Sequence, residues 1–96
     1  MLTDKQRRPS VYEAAQTAFE QTPDYAKDDL LMALEWAKNT LMNHEGSGHN
    51  FSLIIESGEF CCCFCKTQWN ADHCSQPMPT APEAIVMAVC EYLNGV

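Results

Sequence analysis

Residues 59 to 74, "EFCCCFCKTQWNADHC", hold five of the chain's six cysteines and one of its three histidines. Thiolates and imidazoles can bind zinc, act as nucleophile and base, or, for two thiols, close a disulfide. Structural zinc takes four ligands from two separated pairs. Cys63 and Cys65, which share one face of a strand, supply one such pair, and His73 with Cys74 the other. Neighbouring residues point apart on a regular strand, so His73 and Cys74 would both ligate only from an irregular loop. A zinc (Zn) module on Cys63, Cys65, His73 and Cys74 is therefore kept as the alternative reading. A nucleophilic Cys74 beside His73 lacks an orienting residue and an oxyanion-stabilising motif, and adjacency along the chain does not provide the geometry. The reading preferred here is structural. Cysteine packs as a small hydrophobe, and "FCCCFC" becomes a strand that is apolar on both faces. One face meets helices, while the other is covered by helix one, by a third strand or by a second copy of the chain in a homodimer.

The wider chain sets the context for those thiols. At 96 residues, 46% of them hydrophobic, it matches one domain with a modest core. Its net charge is −7, and the sign is unevenly spread: Lys5, Arg7 and Arg8 form a basic tail, after which twelve carboxylates face only Lys27, Lys38 and Lys66. An acidic body repels phosphate backbones, so direct nucleic-acid binding is disfavoured and a basic protein surface is the expected partner. No apolar stretch follows the charged start as a signal peptide requires, and no apolar run is long enough to span a bilayer. A cytoplasmic location follows as an expectation, and with it free thiols in place of native disulfides.

The elements that must position these residues are legible from periodicity and caps. Residues 1 to 9 read as a flexible tail and 10 to 96 as a single domain. "SVYEAAQTAFEQTP" opens on a capping box of Ser10 and Glu13 and puts Val11, Ala15, Ala18 and Phe19 on one helical face. From about Asp24 to Asn43, Leu30, Leu31, Leu34, Ala37, Leu41 and Met42 recur at helical spacing in what reads as one long helix. "FSLIIESGEFCCCFC" reads as two strands joined at Ser57-Gly58, with Trp69 in a third short strand or a loop. Thr80 and Glu83 repeat the capping box before an apolar helix of Ile85, Val86, Ala88, Val89, Tyr92 and Leu93. His44 and His49 flank a glycine loop that fits no phosphate-binding pattern. The expected fold is α+β, with helices on a small antiparallel hairpin or three-stranded sheet in the order α-α-β-β-(β)-α.

The second half of the chain, "FSLIIESGEFCCCFC" followed by Trp69 and "TAPEAIVMAVCEYLNG", resembles the phage ABA sandwich domains. In these a helix precedes a short meander and a "TPxEAIxxAxxxxL" helix closes the fold. Thr80, Pro82, Glu83, Ala84, Ile85, Ala88 and Leu93 carry the match, which covers roughly residues 28 to 95. The proline stands one place later here, an extra N-terminal helix is present, and the cysteine run is unusual. The resemblance implies a phage or mobile-element protein with no catalytic residues to carry over. Small acidic proteins of that origin include inhibitors of host defence such as anti-CRISPR proteins. The expected function is therefore a non-enzymatic inhibitor that binds a basic host protein or ribonucleoprotein complex. The candidate contacts are Asp24, Asp28, Asp29, Glu35 and Glu45.

Overall fold

The computed structural model describes residues 2–45, 50–65 and 73–95. Five helices and three strands follow in the order α1 (Asp4–Arg7), α2 (Pro9–Gln21), α3 (Asp24–Asp28), α4 (Leu30–Glu45), β1 (Asn50–Glu56), β2 (Glu59–Cys65), β3 (His73–Cys74) and α5 (Ala81–Leu93). The α+β class and the order of its main elements are as the sequence led us to expect. Trp69 and the glycine loop with His49 lie outside the described residues, as do the side chains of His44 and Glu45.

Helix α5 is the organising element. Every residue from Ala84 to Glu91 is buried, as fits a helix apolar around nearly its whole circumference. It packs against α2, α3, α4, β2 and β3. Thr80 starts it as read: its Oγ1 accepts from the Glu83 amide at 3.4 Å and donates to Glu83 Oε1 at 2.7 Å. The small side chains Ala15, Ala26, Ala33 and Ala37, all fully buried, are where the surrounding helices enter the core.

The sheet is antiparallel in the order β1-β2-β3. Ser57 and Gly58 both take positive φ, 54° and 81°, the conformation that a two-residue hairpin needs to match strand twist. Cys62 is wholly buried and Phe60 packs against the core, so their face of β2 meets α5. Cys61 and Cys63 occupy the opposite face by alternation. Beyond β3, Ser75 donates its amide to the Cys62 carbonyl at 2.8 Å and accepts the Cys62 amide on its hydroxyl at 3.0 Å.

The structure corrects three expectations. The long second helix is two: Asp29 is extended (φ −133°, ψ 130°) and separates α3 from α4. Its carboxylate accepts the Met32 amide at 3.0 Å, so it caps the new helix instead of continuing the old one. Helix α2 begins at Pro9, with Arg8 in the cap position and no side-chain cap bond, so the Ser10 capping box does not form. Proline at the first helical position supplies a preset φ and no orphaned amide there. Finally, Cys63 and Cys74 form a disulfide, against the expectation of free thiols. The pairing of β3 with β2 sets Cys74 directly across from Cys63, a proximity that separation along the chain does not reveal.

Candidate protein-docking surface

The segment from Asp24 to Glu35 is built inward on alanine. Ala26 and Ala33 are its buried side chains, and Asp24, Tyr25, Asp28, Asp29, Leu30, Leu31, Met32, Leu34 and Glu35 are exposed. Helix α4 approaches α5 through Ala33, Ala37 and Leu41, one face at i, i+4, i+8. Leu31 and Leu34 therefore stand beside that face and Leu30 at its N-terminal end, with Leu31 74% exposed. A leucine-rich face that the sequence places in the core is left to solvent. The segment "LLMALEWA" holds more apolar residues than one helical face can bury, and that surplus was the available signal.

Acidic residues flank this apolar stripe along the chain. Asp28, Asp29 and Glu35 are exposed next to it in sequence, and Asp24 heads α3. The one cation within the segment is withdrawn: the half-buried Lys27 ammonium donates to the Phe19 carbonyl at 3.1 Å and sits 5.0 Å from the centre of the Phe19 ring. Asp24 lies 3.7 Å from the same ammonium, yet its own side chain is nearly all exposed. Lys27 thus fastens α3 to α2, and on the outer surface the four acids outnumber the exposed Lys38, which lies one helical turn beyond Leu34. An apolar centre within a charged rim is the usual anatomy of a protein–protein interface. Of the expected acidic contacts, Asp24, Asp28, Asp29 and Glu35 fall on this one segment. Asp29 has the added work of capping α4, and Glu45 lies at the far end of that helix.

The cysteine cluster has a different character. With Cys63 and Cys74 joined, neither has a thiolate for a metal, so zinc binding and the disulfide exclude each other on the candidate set. Positions 73 and 74 are successive in β3 and alternate between the faces of the sheet. The side chains of Cys65 and His73 lie outside the described residues. Burial pushes the Cys62 thiol up to about 12. Cys61 is raised by burial and by the charges of Glu56, Glu59 and Glu91; Cys90 is raised by burial, against the lowering effect of its Thr22 contact. An activated nucleophile needs the opposite shift.

A polar site that the sequence did not announce lies where Glu91 is buried. Its carboxylate accepts from the Gln76 amide at 3.3 Å and from Gln76 Nε2 at 3.0 Å. Lys5 reaches Gln76 Oε1 at 3.3 Å, and a cavity of about 230 Å³ between Lys5, Tyr12, Gln16 and Gln76 opens above. Comparison of the chain with family models, with curated proteins and with solved structures finds no match.

Proposed function

We propose that the chain is a non-enzymatic binding protein that docks through α3 and the start of α4 onto a basic surface of a host nucleic-acid-processing or defence complex. The observation that carries this reading is the exposed Leu30, Leu31 and Leu34 stripe bordered by Asp28, Asp29 and Glu35. Burying the remaining surface of Leu31, 74% exposed, contributes about 1–2 kcal/mol, and the smaller exposed parts of Leu30 and Leu34 add less each. The acids add steering and partner selection: they favour a surface evolved to hold phosphates and disfavour nucleic acid itself. Docked there, the chain competes with nucleic acid for the same cations, which is the mode of action expected of a phage-derived, anti-CRISPR-like inhibitor. The upward shift of Cys61, Cys62 and Cys90 argues against each of these three as a thiol nucleophile.

The test is displacement of labelled nucleic acid from purified bacterial CRISPR effector and nuclease complexes. Dose-dependent displacement by the wild-type chain from at least one of them is the expected result. A chain that binds none of them, or that binds without releasing nucleic acid, overturns the proposal.

A further inference from the structure

Strand β1 is the edge of the sheet, and among the described residues no helix packs extensively on it. Helix α5 packs on β2 and β3, whereas the extensive packing of β1 is with β2 alone. Its described side chains are accordingly open on both faces: Leu53 is 40%, Ile54 46% and Ile55 72% exposed. Its sequence, NFSLIIE, carries no lysine, arginine or proline, the devices that usually blunt an edge against pairing.

The hairpin determines which main-chain groups are free. Glu56 pairs with Glu59 across the two-residue turn, and the register continues Ile54 with Cys61 and Ser52 with Cys63. Hydrogen-bonded and non-bonded pairs alternate in such a ladder, and the pair flanking a two-residue turn is of the bonded kind. Positions 52, 54 and 56 therefore turn their N–H and C=O toward β2. Those of Phe51, Leu53 and Ile55 turn outward.

We infer that β1 pairs antiparallel with β1 of a second copy of this chain, about a two-fold axis at Leu53, to make one continuous six-stranded sheet. In that register Leu53 meets Leu53 of the partner subunit and Ile55 meets Phe51 of the partner subunit. The pairs formed by Phe51, Leu53 and Ile55 consist of outward-facing main-chain groups and exchange both hydrogen bonds, and the pairs between them are of the non-bonded kind. The charges also fit. Glu56 falls opposite Asn50 of the partner subunit, and the two Glu56 residues stand six positions apart, roughly 20 Å at strand rise. A slip of one residue would set inward-facing groups against outward-facing ones and lose the ladder. The exposed leucine and isoleucines with one strand edge bury less than the roughly 800 Å² per partner of a standard interface, so the dimer is weak and concentration-dependent. This surface is separate from α3–α4, and its test does not depend on the docking function.

Sedimentation equilibrium of the full chain, from micromolar to millimolar concentration, reads the dimer directly. Leu53→Pro deletes the outward N–H at the axis and leaves the β1–β2 bonds in place, a position where proline is tolerated. Ile55→Lys adds a charge at the most exposed position of the strand. Each is expected to weaken the dimer at least tenfold with an unchanged far-UV circular dichroism spectrum. Wild-type amides of Phe51, Leu53 and Ile55 should gain hydrogen-exchange protection as concentration rises. A monomer at millimolar concentration overturns the proposal. So does a dimer that neither variant weakens, or protection of these amides that appears only when another protein is added.

Discussion

At the scale of single residues, burial changes the chemistry of particular groups. Glu91 is a fully buried carboxylate within the apolar run of α5, and Gln76 bonds to both of its oxygens. Truncation removes the buried acceptor of both Gln76 donors. Glu91→Ala is expected to lower the unfolding free energy by about 1–2 kcal/mol, measured by urea denaturation. Nothing in "AVCEYL" marks this glutamate as internal, because its partner comes from the loop after β3, and single-sequence periodicity carries no information about such a meeting. Cys62 illustrates the reverse case, in which the sequence reading was right: a cysteine in the core behaves as a small hydrophobe. Its thiol is held protonated, from an ordinary value of 9.0 up to about 12. The folded chain therefore keeps this proton where the unfolded chain releases it. The contribution to stability is intact below pH 9 and is lost as the pH rises from there toward about 12. Unfolding free energy followed across that window should fall more steeply for the wild type than for Cys62→Ala, whose curve lacks this contribution. Equal slopes would remove Cys62 from the account.

At the scale of elements, two connections decide how the strands and helices meet. The Cys63–Cys74 disulfide links β2 to β3 across eleven positions of chain. Closing a loop of that length stabilises a fold by about 3 kcal/mol through the unfolded state. Reduction, or replacement of both cysteines by alanine, should lower the denaturation midpoint accordingly, while Cys62 and Cys90 stay protected from alkylation in the native chain. Five cysteines crowded around one strand are visible in the sequence, but their pairing is not, since β3 is two residues long and carries no strand signal of its own. The hairpin was legible because alternation and Ser57-Gly58 are local features, and α5 was legible because its cap and periodicity are both contained in "TAPEAIVMAVCEYL". The division between α3 and α4 was not. Asp29 fits a helix pattern by spacing, and only its side-chain bond to the Met32 amide shows that it serves as a cap.

At the scale of the whole molecule, the helices spend their small residues on the core and leave larger apolar ones outside. Ala26, Ala33 and Ala37 go inward, while Leu30, Leu31 and Leu34 remain at the surface with Asp28, Asp29 and Glu35 around them. The acidic character of the molecule was plain from composition, and the four acids of this segment were legible as candidates. Their apolar companions were not, because helical spacing assigns leucines to a core until packing shows that alanines have filled it. Among the described residues, no helix is long and apolar enough to cross a membrane. The most direct measurement is nucleic-acid displacement from a responsive effector complex at low and at moderate salt, with the wild type beside Leu31→Asp and the double variant Asp28→Lys/Glu35→Lys. Loss of the leucine anchor should weaken displacement tenfold to a hundredfold at both salt concentrations. The charge-reversed variant should be weakened most at low salt, with a flatter salt dependence than the wild type. Displacement that neither variant alters would contradict docking through α3 and α4.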